Sequence, residues 1–278
     1  MTVYLPTLGG KQFWTDLRVT PAGWRVQRHV ITGHCRLLDA ADFRRAWGTF
    51  AECDAALCAH APPAPPPAPG RPVVVLVHGL GRSRRSMRPM ARVLCGHDFE
   101  ALEFGYASTR APVEHHADAL ASVVAGLSGF AAVHFVGHSL GNLVVRRYLA
   151  KRRATDRPSV GRVVMLAPPN AGSRLAARLR RNPAFLLGMG PAGQEIAEWT
   201  ALSRTLATPA DFGVIAGNCR SLNPLLRDPA GDLVVCVEET RLAGMADFRE
   251  MDVTHTFLMR NQHVIRQTVT FLRTGRFD

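Results

Sequence analysis

The run Ala131-Ala132-Val133-His134-Phe135-Val136-Gly137-His138-Ser139-Leu140-Gly141-Asn142-Leu143-Val144 decides how this chain is read. Its first half is short, apolar and rich in Val and Phe, the composition of a buried strand. Its second half places Leu140, Leu143, Val144 and Tyr148 at helical intervals. Between them stands Gly-His-Ser-Leu-Gly, a G-x-S-x-G pattern in the strand, sharp turn and helix context that makes a nucleophile elbow. Small residues two before and two after Ser139 let strand and helix backbones approach, and the turn lifts the hydroxyl above the sheet edge.

Outward from this stretch the pattern repeats. Apolar runs at residues 73–77, 99–104, 133–136, 163–166, 212–216 and 233–237 read as strands, residues 247–253 read as a final strand, and residues 86–94, 113–127, 140–152 and 264–274 read as helices. Strands apolar on both faces and separated by helices imply a mostly parallel, doubly wound α/β sheet with helices on both sides. One connection is several times the usual length. Residues 172–209, with Leu175, Leu179, Phe185, Leu186, Leu187, Met189, Ile196, Trp199, Leu202 and Leu206, form either a helical lid over an acyl groove or extra packing helices.

Residues 1–60 form a separate preface. Alternation over 13–19 and 24–31 around Thr20-Pro21-Ala22-Gly23 predicts a hairpin, and residues 40–60 predict a helix with Asp39 as its cap. The segment 61–71, dominated by Pro, predicts an extended linker, leaving 72–278 as the main domain.

Composition narrows the function classes. A 278-residue chain with 47% hydrophobic and 20% charged residues can bury a large core. The net charge of +12 comes from 32 arginines and only two lysines, scattered along the chain with no nucleic-acid motif, so a solvated surface is expected and nucleic acid is not a predicted partner. An anionic lipid surface is a partner this charge would admit. There is no secretory leader pattern and no apolar run of about 18 residues, so a soluble, cytoplasmic protein is expected. Six cysteines without a C-x-x-C pair read mostly as buried thiols, and neither metal nor organic cofactor is implied.

A serine hydroxyl needs a base to take its proton and a carboxylate to orient that base. On an elbow of this kind the acid and then the histidine follow the serine in the chain. Downstream lie His255 and His263. His255 sits in a loop after a strand, whereas His263 falls within a helical pattern, so His255 is the candidate base. Asp232, in a Gly-rich turn, is the candidate acid, with Asp228, Glu238, Glu239, Asp247 and Asp252 as competitors. The main-chain N–H groups of Leu80 and Leu140 are the candidate oxyanion donors. His78, Gly79 and His138 flank them as substrate-binding candidates.

Val77-His78-Gly79-Leu80-Gly81-Arg82-Ser83, Tyr106-Ala107-Ser108-Thr109-Arg110, the Ser139 pentapeptide, Leu166-Ala167-Pro168-Pro169-Asn170-Ala171-Gly172-Ser173, Gly231-Asp232 and Thr254-His255-Thr256 together resemble bacterial lipases and esterases of the α/β-hydrolase superfamily. The resemblance covers residues 72–278. It implies the α/β-hydrolase fold and cleavage of a carboxylic ester through an acyl-enzyme. The bulky residue after His-Gly resembles a lipase oxyanion loop, which implies a lipid-like acyl ester as the small-molecule substrate. Acyl transfer with the same triad and a non-catalytic binding role on the same fold are the alternatives. Residues before 60 match nothing in that family.

Overall fold

The computed structural model describes residues 12–62, 71–127, 129–219 and 230–278. Most of the proline-rich linker (63–70) and the competing carboxylate Asp228 lie outside the described residues.

The central sheet is built from the apolar runs. Strands β5 (Val73–Val77), β6 (Glu100–Phe104), β7 (Ala132–His138), β8 (Ser159–Leu166), β9 (Phe212–Gly217) and β10 (Asp247–Met251) pair in the order β10-β9-β8-β7-β5-β6, every pair parallel. Side chains alternate between faces along a strand, and the two faces of this sheet feed two cores. Val73, Val75, Val77, Phe135, Met165 and Val214 point toward helices α3 (Val113–Ala125) and α4 (Leu140–Lys151). Val74, Leu76, Val136, Val164 and Ile215 point toward α2 (Arg88–Cys95) and α9 (Gln262–Thr274). Each fully buried Val or Leu contributes about 1.5–3 kcal/mol of transfer free energy, so β5, buried along its whole length, anchors both layers. This is the α/β-hydrolase fold, with the sheet covered on both faces as its patterning implies. No helix among the described residues is long and apolar enough to cross a membrane.

Residues 233–237 do not form a strand. The Asp232 carboxylate draws the Val234 and Val235 N–H groups into a turn (3.0 and 2.8 Å), Leu233 takes a φ of 82°, and a short helix α8 (Val237–Thr240) follows. The apolar sequence reads as a strand, but a local carboxylate has claimed its backbone donors.

The N-terminal region is larger in β-structure than its hairpin pattern implies. Strands β1 (Trp14–Val19), β2 (Arg25–His29), β3 (Cys35–Leu38) and β4 (Arg44–Gly48) form an antiparallel meander, and the helix α1 begins only at Phe50 and runs to His60. Asp39 caps a turn, not a helix: its Oδ1 accepts from the N–H groups of Ala41 and Phe43 (both 2.9 Å), and Arg45 donates to Oδ2. The helix cap is Thr49, whose hydroxyl accepts the Glu52 N–H while the Glu52 carboxylate accepts the Thr49 N–H, a capping box. Phe43, Ala46 and Trp47 stand at helical spacing, but the ten residues from 40 to 49 are too few for that period to win against pairing with β3, which puts Ala46 and Trp47 on opposite faces of β4.

This meander is not a free appendage. Leu17, Val19, Val26, Leu37, Cys53 and Leu57 share one core with α3 and the sheet. Asp42 forms ion pairs with Arg84 and Arg85, at the start of a 3₁₀ turn (Arg84–Met87) after β5. The cysteines are mixed in setting: Cys35, Cys53 and Cys219 are buried, Cys58 and Cys95 exposed, Cys236 between, and none is in a disulfide.

The long connection after β8 is helical: α5 (Arg174–Leu179), α6 (Pro183–Ala197) and α7 (Trp199–Ser203). Ala192, Ile196, Ala197 and Leu202 are buried in the α3/α4 core, while Leu187 is 81% exposed. The kink in α6 is at Gly190 (φ 63°), next to Pro191, where a Cβ would lie 1.8 Å from the Thr109 carbonyl oxygen. Only glycine fits there.

Candidate active site

Ser139 lies between the end of β7 and the start of α4 with φ 52° and ψ −123°, a conformation that L-residues with a Cβ rarely adopt. The strain, of order 1–3 kcal/mol, persists only where the surroundings over-determine it. Here the Ser139 N–H donates to the Leu166 carbonyl (2.9 Å), and the Asn142 amide donates to the carbonyls of Ser139 (3.0 Å) and Leu166 (3.2 Å). Gly141 and Gly137 permit the close approach: a Cβ on Gly141 would meet the Val77 oxygen at 2.3 Å, and one on Gly137 the Asn142 Cα at 2.9 Å. The upstream loop is equally near, since a Cβ on Gly79 would sit 3.1 Å from that of Ser139.

His255 follows β10 and is buried. Its Nδ1–H donates to Asp232 Oδ2 at 2.6 Å, and its main-chain N–H donates to the Asp232 carbonyl at 3.1 Å. The other Asp232 oxygen accepts the Val234 and Val235 N–H groups, so both oxygens are engaged and the carboxylate is held against the imidazole. Gly217, ending β9, abuts Asp232, leaving 2.7 Å between a Cβ there and the Asp232 Cβ. The competitors are otherwise engaged: Glu239 accepts from the N–H groups of Cys236 and Arg174, Asp247 from those of Phe248 and Phe277, and Glu238 pairs with Arg241. His263 is at the exposed start of α9, bonded to Arg266.

The Leu80 and Leu140 N–H groups donate to no acceptor among the described residues, while their neighbours Gly81 and Ser139 do. His78 and His138 are turned inward. His78 stacks on Tyr106 (centroids 4.2 Å), its Nδ1 bonds the Gly79 carbonyl, and the Tyr106 hydroxyl donates to the His78 carbonyl at 2.6 Å. Burial pulls the His78 pKa down to about 4. His138 Nε2–H donates to the His255 carbonyl (3.0 Å), and burial, reinforced by the neighbouring His255, holds its pKa well below the usual imidazole range. Both histidines are therefore neutral supports under the loops that carry Gly79 and His255.

Three contacts around this constellation had little signal in the sequence. Arg82 donates to the Thr256 hydroxyl (2.8 Å), tying the loop after β5 to the loop of His255. Tyr106 and Ser108, quoted above only as part of a resembling segment, hold the same loop through His78 and Gly81.

Residues 74–270 match the model of the alpha/beta hydrolase family. No curated protein matches the chain. Among solved structures it is similar to the mature form of the lipase BlEst2 from Bacillus licheniformis, with a TM-score of 0.59 and 18% identity over 77% of this chain and 96% of that one. It is also similar to the product of gene lin2722 from Listeria innocua (TM-score 0.52, 18% identity, 75% and 99% covered) and to a thermophilic esterase from Thermogutta terrifontis (TM-score 0.50, 19% identity, 74% and 90% covered). At these identities the likeness is one of fold. With a family model spanning most of its length, the chain belongs to the alpha/beta hydrolase family.

Proposed function

We propose that this protein is a serine hydrolase that cleaves carboxylic esters through an acyl-enzyme. Ser139 attacks the carbonyl, His255 takes its proton and later delivers it to the leaving alkoxide, and Asp232 holds the imidazole and stabilises the imidazolium. The N–H groups of Leu80 and Leu140 hold the oxyanion. Gly79 lies against the substrate carbonyl, with His78 and His138 acting through the loops they support. The observation that carries this reading is the 2.6 Å bond from His255 to a buried, fully engaged Asp232 on a chain whose Ser139 is held in a strained elbow. The lipase and the esterase among its structural relatives agree with it.

A lipid-like acyl ester is the substrate class we favour. Leu187, Leu233, Val234 and Phe257 are exposed apolar side chains on the helices after β8 and on the loops that carry Asp232 and His255. Residues 172–209 act as the roof of the acyl groove, and Arg178, Arg180 and Arg181 give that roof the charge to rest on an anionic lipid surface. Six cysteines outside any disulfide suit a reducing compartment such as the cytoplasm. Residues 1–60 are an extension joined through the 61–71 linker to a catalytic domain of 72–278. The test is p-nitrophenyl butyrate hydrolysis together with fluorophosphonate labelling: Ser139→Ala abolishes both, and turnover that persists in that variant refutes the assignment.

A further inference from the structure

We propose that Gln12, contributed by the N-terminal extension, is a positioning residue of the oxyanion loop. The inference rests on the reading of Leu80 N–H as an oxyanion donor. Leu80 stands between Gly79 and Gly81, and a loop so rich in glycine has no intrinsic stiffness. Its stiffness is supplied from outside. The Gln12 Nε2 donates to the Arg82 carbonyl at 2.8 Å, gripping the loop directly after Gly81. The Gln12 Oε1 gathers three donors from the segment after β6: the Ser108 hydroxyl (3.1 Å), the Thr109 N–H (3.0 Å) and the Thr109 hydroxyl (3.0 Å). Ser108, wholly buried, uses the same oxygen to accept the Gly81 N–H at 3.0 Å. One amide thus closes a ring that fixes Gly81 and Arg82 on both sides and, among the described residues, leaves the Leu80 N–H unclaimed.

The anchor of this amide is firm. From Trp14 onward the chain is β1, and there the Asp16 N–H donates to the Gly105 carbonyl (2.8 Å) while Thr15 accepts the Ala107 N–H (3.2 Å). Gln12 therefore reaches the loop from a strand already bonded to residues 105–107. The roof meets the same place, because Gly190 of α6 presses on the Thr109 carbonyl and Leu80 Cδ2 lies 3.4 Å from where a Cβ on Gly193 would be. A preorganised donor is effective because it does not reorient during the reaction, so loosening its frame weakens transition-state binding and leaves ground-state binding intact.

The experiment compares Gln12→Ala, Gln12→Glu and Ser108→Ala with the wild type. Asp54→Ala, which breaks the Arg18–Asp54 pair elsewhere in the extension, is the control. The readouts are kcat and KM on p-nitrophenyl butyrate and the affinity of a trifluoromethyl ketone, whose hemiketal oxyanion occupies the same donors. The expected result for Gln12→Ala and Ser108→Ala is a fall of about 10-fold in kcat, a fraction of the 10²–10³ that a lost donor costs, with KM within about twofold and an equal fall in ketone affinity. Gln12→Glu keeps the acceptors but loses the donor to Arg82, so it falls by less and covers the case in which Gln12→Ala fails to fold. Asp54→Ala keeps the wild-type rate. Wild-type kcat in the Gln12 and Ser108 variants, or losses carried by KM alone, overturn the brace. Ester turnover that survives Ser139→Ala refutes the underlying catalytic reading instead, so the two failures are distinguishable.

Discussion

Asp16 ties the N-terminal meander to the hydrolase sheet, and its removal gives a sharp test of how that joint is held. Its carboxylate is 0% exposed and accepts three hydrogen bonds of 2.7 Å each, from Arg25 Nη1, Gln27 Nε2 and the Gly105 N–H. Gln27 cannot turn away to find another acceptor, because its Oε1 is held by Arg36, whose guanidinium lies 3.8 Å above the Trp14 ring. Asp16→Ala thus leaves the Arg25 guanidinium, 4% exposed, with only a long bond to the Glu103 carbonyl (3.4 Å), and orphans two buried N–H donors. A buried charge stripped of its partner costs about 3–5 kcal/mol, and each orphaned donor about 1–3 kcal/mol. The low ends alone bring the loss to about 5 kcal/mol, comparable with the entire stability of many domains at about 5–15 kcal/mol. Urea unfolding followed by the fluorescence of Trp14 and its neighbours is the assay. The double variant Asp16→Leu/Arg25→Met removes both charges and regains about half of the loss, because Gln27 and Gly105 stay unpaired. A loss below about 1 kcal/mol in Asp16→Ala, or no recovery in the double variant, refutes the reasoning.

The buried histidines make stability fall on the acid side. Burial pulls His78 to about 4 and His116 to about 3, against 6.5 in an unfolded chain, so below pH 6.5 the unfolded state binds protons that the folded state does not. Each contributes up to about 1.4 kcal/mol per pH unit once its unfolded form is protonated, so the free energy of unfolding drops by about 3 kcal/mol from pH 6.5 to 5, and a flat profile contradicts the assignment. Asp232→Asn replaces the carboxylate with an amide whose NH2 can face the His255 Nδ1 and favour the wrong tautomer, and lowers kcat by about 10⁴ with an unchanged circular dichroism spectrum. Gly141→Ala drives a Cβ against the Val77 and His78 carbonyls, neither of which can yield without moving the end of β5 and the loop after it, and costs about 3 kcal/mol or more in denaturant titration. Thr49→Ala undoes the α1 capping box and lowers stability by about 1 kcal/mol, with no effect on ester turnover.

The parts of this molecule that were legible in the sequence are those whose cause is local. The elbow at Gly137 to Gly141 is written in five consecutive residues, since the strain at Ser139 and the glycines that permit it are neighbours. The inner strands β5, β7, β8 and β9 announce themselves because burial on both faces demands apolar runs, whereas the edge strand β10, Asp-Phe-Arg-Glu-Met, carries charges that only an edge allows. The sequence pattern fails to give the structure where a short polar side chain redirects the backbone. Asp39 turned residues 40–42 away from a helix, and Asp232 drew the donors of Val234 and Val235 out of a strand. In both places a few hydrogen bonds outweigh the apolar pattern.

By itself, then, the order of residues determined the sheet, the elbow and the pool of triad candidates, because periodicity and turn chemistry act over a few positions. Tertiary folding alone brought Asp232, which its Gly-rich turn had singled out, within 2.6 Å of His255, since that contact depends on where β9 and β10 end in space. It alone brought Gln12 within reach of Ser108 and Arg82, 96 and 70 positions along the chain. Such contacts are carried by single side chains of ordinary type, and only the packing of a meander against a distant sheet gives them a partner.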